Sequence, residues 1–156
     1  MTHRTRRVVA SLVVLCSGLA IPVTAASASD AGIKAAVRSY SPKLLVDEGH
    51  LVTAVGEYKA SHSPAGVQAA LGVSISTIHS LRSKIAAQPA SRHRVRAGKA
   101  KLEVGLQGII GAYERLSKAF GEHNVSPEAA KTEVAAAGIA VDKARTELAE
   151  GMKLLR

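Results

Sequence analysis

The chain has 156 residues, 21 basic and 12 acidic, and a formal net charge of +9; at 47% hydrophobic residues it can build one domain with a real core. One cysteine excludes an intrachain disulfide. The absence of tryptophan, with only three tyrosines and one phenylalanine, leaves few platforms on which sugars or single-stranded nucleic acids could stack.

Residues 1–28 have the pattern of an export signal. Arg4, Arg6 and Arg7 form a positive start, Val8 to Val23 is almost wholly apolar, and Ala26-Ser27-Ala28 supplies a small-x-small cleavage site. The apolar run is shorter than the roughly 20 residues a spanning helix needs. Leu15 before Cys16 departs from a lipoprotein signal, and Val9-Ala10 departs from the twin-arginine pattern that Thr5-Arg6-Arg7 resembles. Ordinary secretory export is the expectation, with a secreted or extracytoplasmic destination. Cleavage after Ala28 removes Cys16 and leaves 18 basic against 12 acidic residues, a net charge of +6 over residues 29–156. That domain must fold by packing alone.

Abundant alanine and few β-branched runs favour helix. The first segment places Ile33, Val37, Tyr40, Leu44, Leu51, Val55 and Tyr58 on one stripe, with Pro42 expected to kink or break it. The second carries Val67, Leu71, Ile75, Ile78, Leu81 and Ile85 and ends before Pro89. The third runs Val95, Leu102, Leu106, Ile109, Tyr113, Leu116 and Phe120, stopping near Gly121. The last has the longest seam: Ala130, Val134, Ala137, Val141, Ala144, Leu148, Met152 and Leu155. Ser41-Pro42, Ser63-Pro64 and Ser126-Pro127 each read as a helix start, with serine capping and proline at the first helical position. Gly105, Gly108, Gly111 and Ala112 strip bulk from the third segment, so a neighbouring backbone can come close. Short connections make sequential helices antiparallel. The expected fold is therefore an all-α, up-down-up-down four-helix bundle over residues 29–156. The stripes are compatible with pairing inside one chain or between two copies.

Val67 to Ile85 also resembles the helix-turn-helix of bacterial transcription regulators. Leu71-Gly72-Val73-Ser74 matches the turn, and Ser76-Thr77-Ile78 the start of a recognition helix. The resemblance implies a cytoplasmic DNA-binding protein in which Ser76, Thr77, His79 and Arg82 face the major groove. The same apolar residues fit one unbroken stripe with Gly72 off the seam, and an exported protein does not meet the genome.

Arg92, Arg94, Arg96, Lys99 and Lys101, with His93 among them, form a run without an acid at a helix start. Fixed cations there oppose the helix dipole, which makes the run the candidate anion-binding site. Its expected partners are an anionic envelope polymer or lipid headgroups; nucleic acid is disfavoured. The histidines show no metal-ligand spacing. Asp47-Glu48 is an adjacent pair whose members point different ways on a helix, so it makes a poor acid/base dyad. No hydrolase, metalloprotease or phosphate-loop motif occurs, so neither catalysis nor a cofactor is expected. Two functional expectations remain beside the DNA-binding one. The first is a non-catalytic interaction module using the basic run. The second is a carrier of a small apolar ligand, or of haem with Tyr58, His62 or His79 as axial ligand, in space left by Gly105 to Ala112 and Ala135 to Ala137. The composition resembles that of small secreted proteins of high-GC bacteria.

Overall fold

The computed structural model describes residues 28–121 and 127–156. The signal-peptide assignment, apart from its last residue, and the Ser126 cap lie outside the described residues. Four helices follow in order: α1 (Ala28–Ser61), α2 (Ala65–Ala86), α3 (His93–Gly121) and α4 (Pro127–Leu154). No strand occurs among the described residues. The molecule is an all-α four-helix bundle, as the stripes require.

Side-chain register gives the directions. A Cβ on Gly66 of α2 would meet Ala54 of α1, while Gly32, near the start of α1, lies against Gln88, just beyond the end of α2. Gly121 at the end of α3 lies against Gln68 near the start of α2, and Lys99 near the start of α3 reaches Ala86 at the end of α2. Gly98 faces Gly151, and Gly105 faces Ala144 and Leu148. Each neighbouring pair is therefore antiparallel.

The apolar stripes meet as the 3.6-residue period dictates. Val67, Leu71, Ile78, Leu81 and Ile85 of α2 are buried against Leu102, Leu106, Ile109 and Tyr113 of the α3 stripe, within one continuous core. Ala137, Val141, Ala144 and Leu155 bury the α4 seam. Among the described helices, α3 and α4 come within backbone reach of each other. A Cβ on Gly105 would sit 2.6 Å from Leu148 Cγ and 2.8 Å from the Ala144 carbonyl, and one on Gly151 would sit 2.9 Å from the Gly98 carbonyl. Glycine is required there because a neighbouring backbone occupies the space a side chain would take. Gly111, expected to share that role, has nothing within 4 Å of a Cβ.

Local signals fared unevenly. Pro42 lies inside α1, so the helix continues through it rather than breaking. Ser41 Oγ donates to the Val37 carbonyl at 2.9 Å, which gives the turn around the proline an extra bond. Pro64 itself occupies the N-cap of α2, and no side chain caps that end, so Ser63 does not play the part expected of it. At the other side of this connection His62 adopts φ 56°, and its N–H donates to the Tyr58 carbonyl at 2.8 Å. That left-handed residue stops α1, in the position glycine usually takes. Residues 67–85 lie within a single helix with no positive-φ glycine, so the turn of a helix-turn-helix is not formed at Gly72. Thr77, a supposed groove-facing residue, is buried in the bundle.

Candidate functional site

The helices are not equally intimate. α4 lies chiefly on α3, and α1 chiefly on α2, while the backbones of α1 and α4 scarcely approach each other. Where an ideal bundle would close, a cavity of about 350 Å³ opens between them. All four helices contribute to its wall. Leu44 comes from α1, Ile78 and Leu81 from α2, Leu102 and Leu106 from α3, and Leu148 and Met152 from α4. This size lies within the range of roughly 300–1,000 Å³ typical of small-molecule pockets.

The wall is mostly apolar; Ser74 of α2 and Tyr113 of α3 add hydroxyls, and its charged groups stand on the two outer helices. Asp47 and Glu48 come from α1; Arg145 of α4 and Arg156, just beyond its end, come from the other side. Asp47 is only 5% exposed, and its Oδ2 has no hydrogen-bond partner. Glu48 Oε1 and Arg145 Nε and Nη2 are likewise buried without one. Burial pushes the Glu48 carboxyl above its ordinary value, and the positive charge of Arg145 pulls it partly back. Arg145 Nη1 lies 3.7 Å from Asp142 Oδ1, a neighbour on its own helix.

Both sides of this arrangement follow from the heptad seams. The α1 stripe passes from Leu44 to Leu51, and the omitted turn between them is Asp47-Glu48. Adjacent residues diverge on a helix and make a poor dyad, but the inward position of the pair matters more here than mutual contact. A carboxylate standing where the stripe demands an apolar residue was the visible signal. Arg145 stands beside the seam residue Ala144, a weaker hint.

Of the stretch Gly105 to Ala112 that was expected to leave space, Gly105 and Gly108 are filled from α4, whereas Leu106 and Ile109 line the cavity. Leu148 and Ala144 fill the surface that Gly105 and Gly108 leave free, and Ala137 is fully buried. The haem candidates are also placed elsewhere. Tyr58 and His62 stack edge to face at 6.3 Å near the α1–α2 turn, His79 is exposed on α2, and none of them lines the cavity. Among the described residues no group of three or more His, Cys, Asp or Glu side chains could hold a metal ion.

The basic run is spread over several surfaces. Lys99 Nζ donates to the carbonyls of Ala86 at 2.6 Å and Gln88 at 2.8 Å, which caps the C-terminus of α2. Lys101 faces α4 and pairs with Glu147 at 2.9 Å and Glu150 at 2.5 Å. Those hydrogen bonds raise the Lys101 ammonium and lower the Glu150 carboxyl from their ordinary values. Arg94 donates to the Lys153 carbonyl at 3.3 Å, and Arg96 to that of Ser91 at 2.6 Å. Arg92 is exposed in the α2–α3 connection. Four of the five thus serve neighbours on α2, on α4 and in the α2–α3 connection rather than converging on one point.

No described helix is long and apolar enough to cross a membrane. Compared with known protein families, curated proteins and solved structures, the chain matches none.

Proposed function

We propose that this protein is an exported, non-catalytic binding protein that holds a small apolar molecule between its helices. One observation carries the reading: an apolar cavity of about 350 Å³ at the junction of all four helices, open on the side where α1 and α4 stand apart. A gap of this kind in a bundle otherwise close-packed enough to need glycines at α3–α4 is a place for a ligand rather than slack packing. The other sequence expectation, anion binding through Arg92 to Lys101, gains less support, because Lys99 and Lys101 are engaged by neighbouring helices. Export rests on the sequence of residues 1–28 alone, with cleavage expected after Ala28. Cleavage there would keep every residue that lines the cavity.

A fluorescent apolar probe such as N-phenyl-1-naphthylamine tests the function. The purified full-length protein should bind it saturably at one site. Ala149→Trp, at an exposed position on the cavity rim, should abolish that binding and leave the helical circular dichroism intact. Probe binding that never saturates, or that the tryptophan does not affect, overturns the assignment. Fractionated producing cells should yield a chain starting near Ser29 outside the cytoplasm; an intact Met1 in the cytosol would refute export.

A further inference from the structure

We infer that the cavity takes a small amphiphile whose head is uncharged and both donates and accepts hydrogen bonds, of the primary amide or alcohol class. The inference rests on the cavity being a ligand site and adds what the ligand must look like. Its basis is four charged residues in a wall that is otherwise apolar but for the Ser74 and Tyr113 hydroxyls: Asp47 and Glu48 on one side, Arg145 and Arg156 on the other. No carboxylate of the first pair forms an ion pair with a guanidinium of the second among the described residues, although Arg145 is near enough to affect the titration of Glu48. The two sides face a common space without closing it.

Polar groups left this way are costly. A buried carboxylate or guanidinium without a hydrogen bond forfeits its hydration and receives nothing in return. Asp47 Oδ2 and Glu48 Oε1 want donors; Arg145 Nε and Nη2 want acceptors. The Nε and Nη2 protons project from one edge of the planar guanidinium and can share a single oxygen or a pair of them. Asp142 Oδ1 lies 3.7 Å from the other end, at Nη1. A head that meets both demands must accept from Arg145 and donate to the α1 carboxylates.

Charge balance selects among such heads. Two acids and two bases already neutralise each other around the cavity. A carboxylate head would satisfy Arg145 but meet Asp47 and Glu48 with like charge, and an ammonium head would do the reverse. A primary amide accepts through its carbonyl and donates through two N–H bonds, so it bridges the sides with no net charge added. An alcohol does the same with one donor. The apolar body then lies along Leu44, Ile78, Leu81, Leu106 and Met152.

Competition against the naphthylamine probe with four molecules of one tail length decides the matter: decanamide, decanol, decanoate and decylamine. Decanamide and decanol should displace the probe about tenfold more effectively than the charged pair, since each lost or repelled contact to a charged group is worth at least ~1.4 kcal/mol. Arg145→Leu and Asp47→Leu should each erase the preference for decanamide while the probe still binds. Equal competition by all four, or a lead for decanoate or decylamine, overturns the head-group inference and leaves the cavity assignment standing. A probe that does not bind the parent protein overturns both. Should a leucine variant fail to fold, Asp47→Asn and Arg145→Gln, which retain polarity without charge, must still narrow the gap between decanamide and the charged pair; an unchanged gap refutes the inference.

Discussion

Glu48 shows how a single buried side chain can weigh against the stability of its own fold. Burial raises its carboxyl above the ordinary value more than Arg145 lowers it, so the folded chain holds the proton more tightly than the unfolded one. Stability therefore falls as pH rises from the ordinary carboxylate range through the raised folded value, and the penalty persists at neutrality. Below that range Glu48 is protonated in both states and contributes nothing. Glu48→Gln should accordingly be modestly more stable than the parent at about pH 7 in urea denaturation, with the difference closing near pH 4. A variant less stable than the parent at pH 7 would mean that attraction to Arg145 outweighs desolvation. Asp47, Arg145 and Arg156 face the same space, so the comparison should be made at fixed ionic strength.

Glycines separate two kinds of helical position at the scale of elements. Gly105 is buried with Leu148 and the Ala144 carbonyl inside the volume of a Cβ, whereas Gly72 is exposed in α2 with nothing near it. Gly105→Ala should destabilise the protein by about 1–3 kcal/mol through overpacking at the α3–α4 contact. Gly72→Ala should stabilise it by about 0.5–1 kcal/mol, the usual helix-propensity gain. Thermal unfolding of the two variants checks both signs. A destabilising Gly72→Ala would indicate a turn at that position in solution. The close approach at Gly105 and Gly108 was readable from spacing, but its counterpart at Gly98 and Gly151 was not. Those two lie singly near helix ends, where glycine has several other uses. The stripes of α2, α3 and α4 were legible because each residue on them has a helix on one side and water on the other. The capping role given to Ser63 was not legible, because Pro64 and Ser63 compete for one boundary and only the chain path decides between them.

At the scale of the whole molecule, periodicity tells which face of a helix is apolar but not how far the facing helix stands off. The α1 and α4 seams therefore read like any other two, and the cavity between them could not be foreseen beyond the acidic interruption at Asp47-Glu48. That asymmetry has a dynamic consequence. α4 is locked to α3 by backbone-to-backbone approach at Gly98, Gly105 and Gly151, whereas α1 leans on α2 and faces the open side. Local opening follows the element with the least packed surface. Native-state hydrogen exchange should therefore find α1 less protected than α3 and α4, with the amides around Leu44 to Glu48 among its fastest. A bound amphiphile adds contacts to both outer helices, so saturating decanamide should slow exchange there and around Leu148 to Met152 in α4, while the α3 amides near Gly105 change little. Uniform protection across the four helices would imply that α1 is held as tightly as the rest. A ligand effect confined to the basic run at Arg92 to Lys101 would place binding on the surface instead of between the helices.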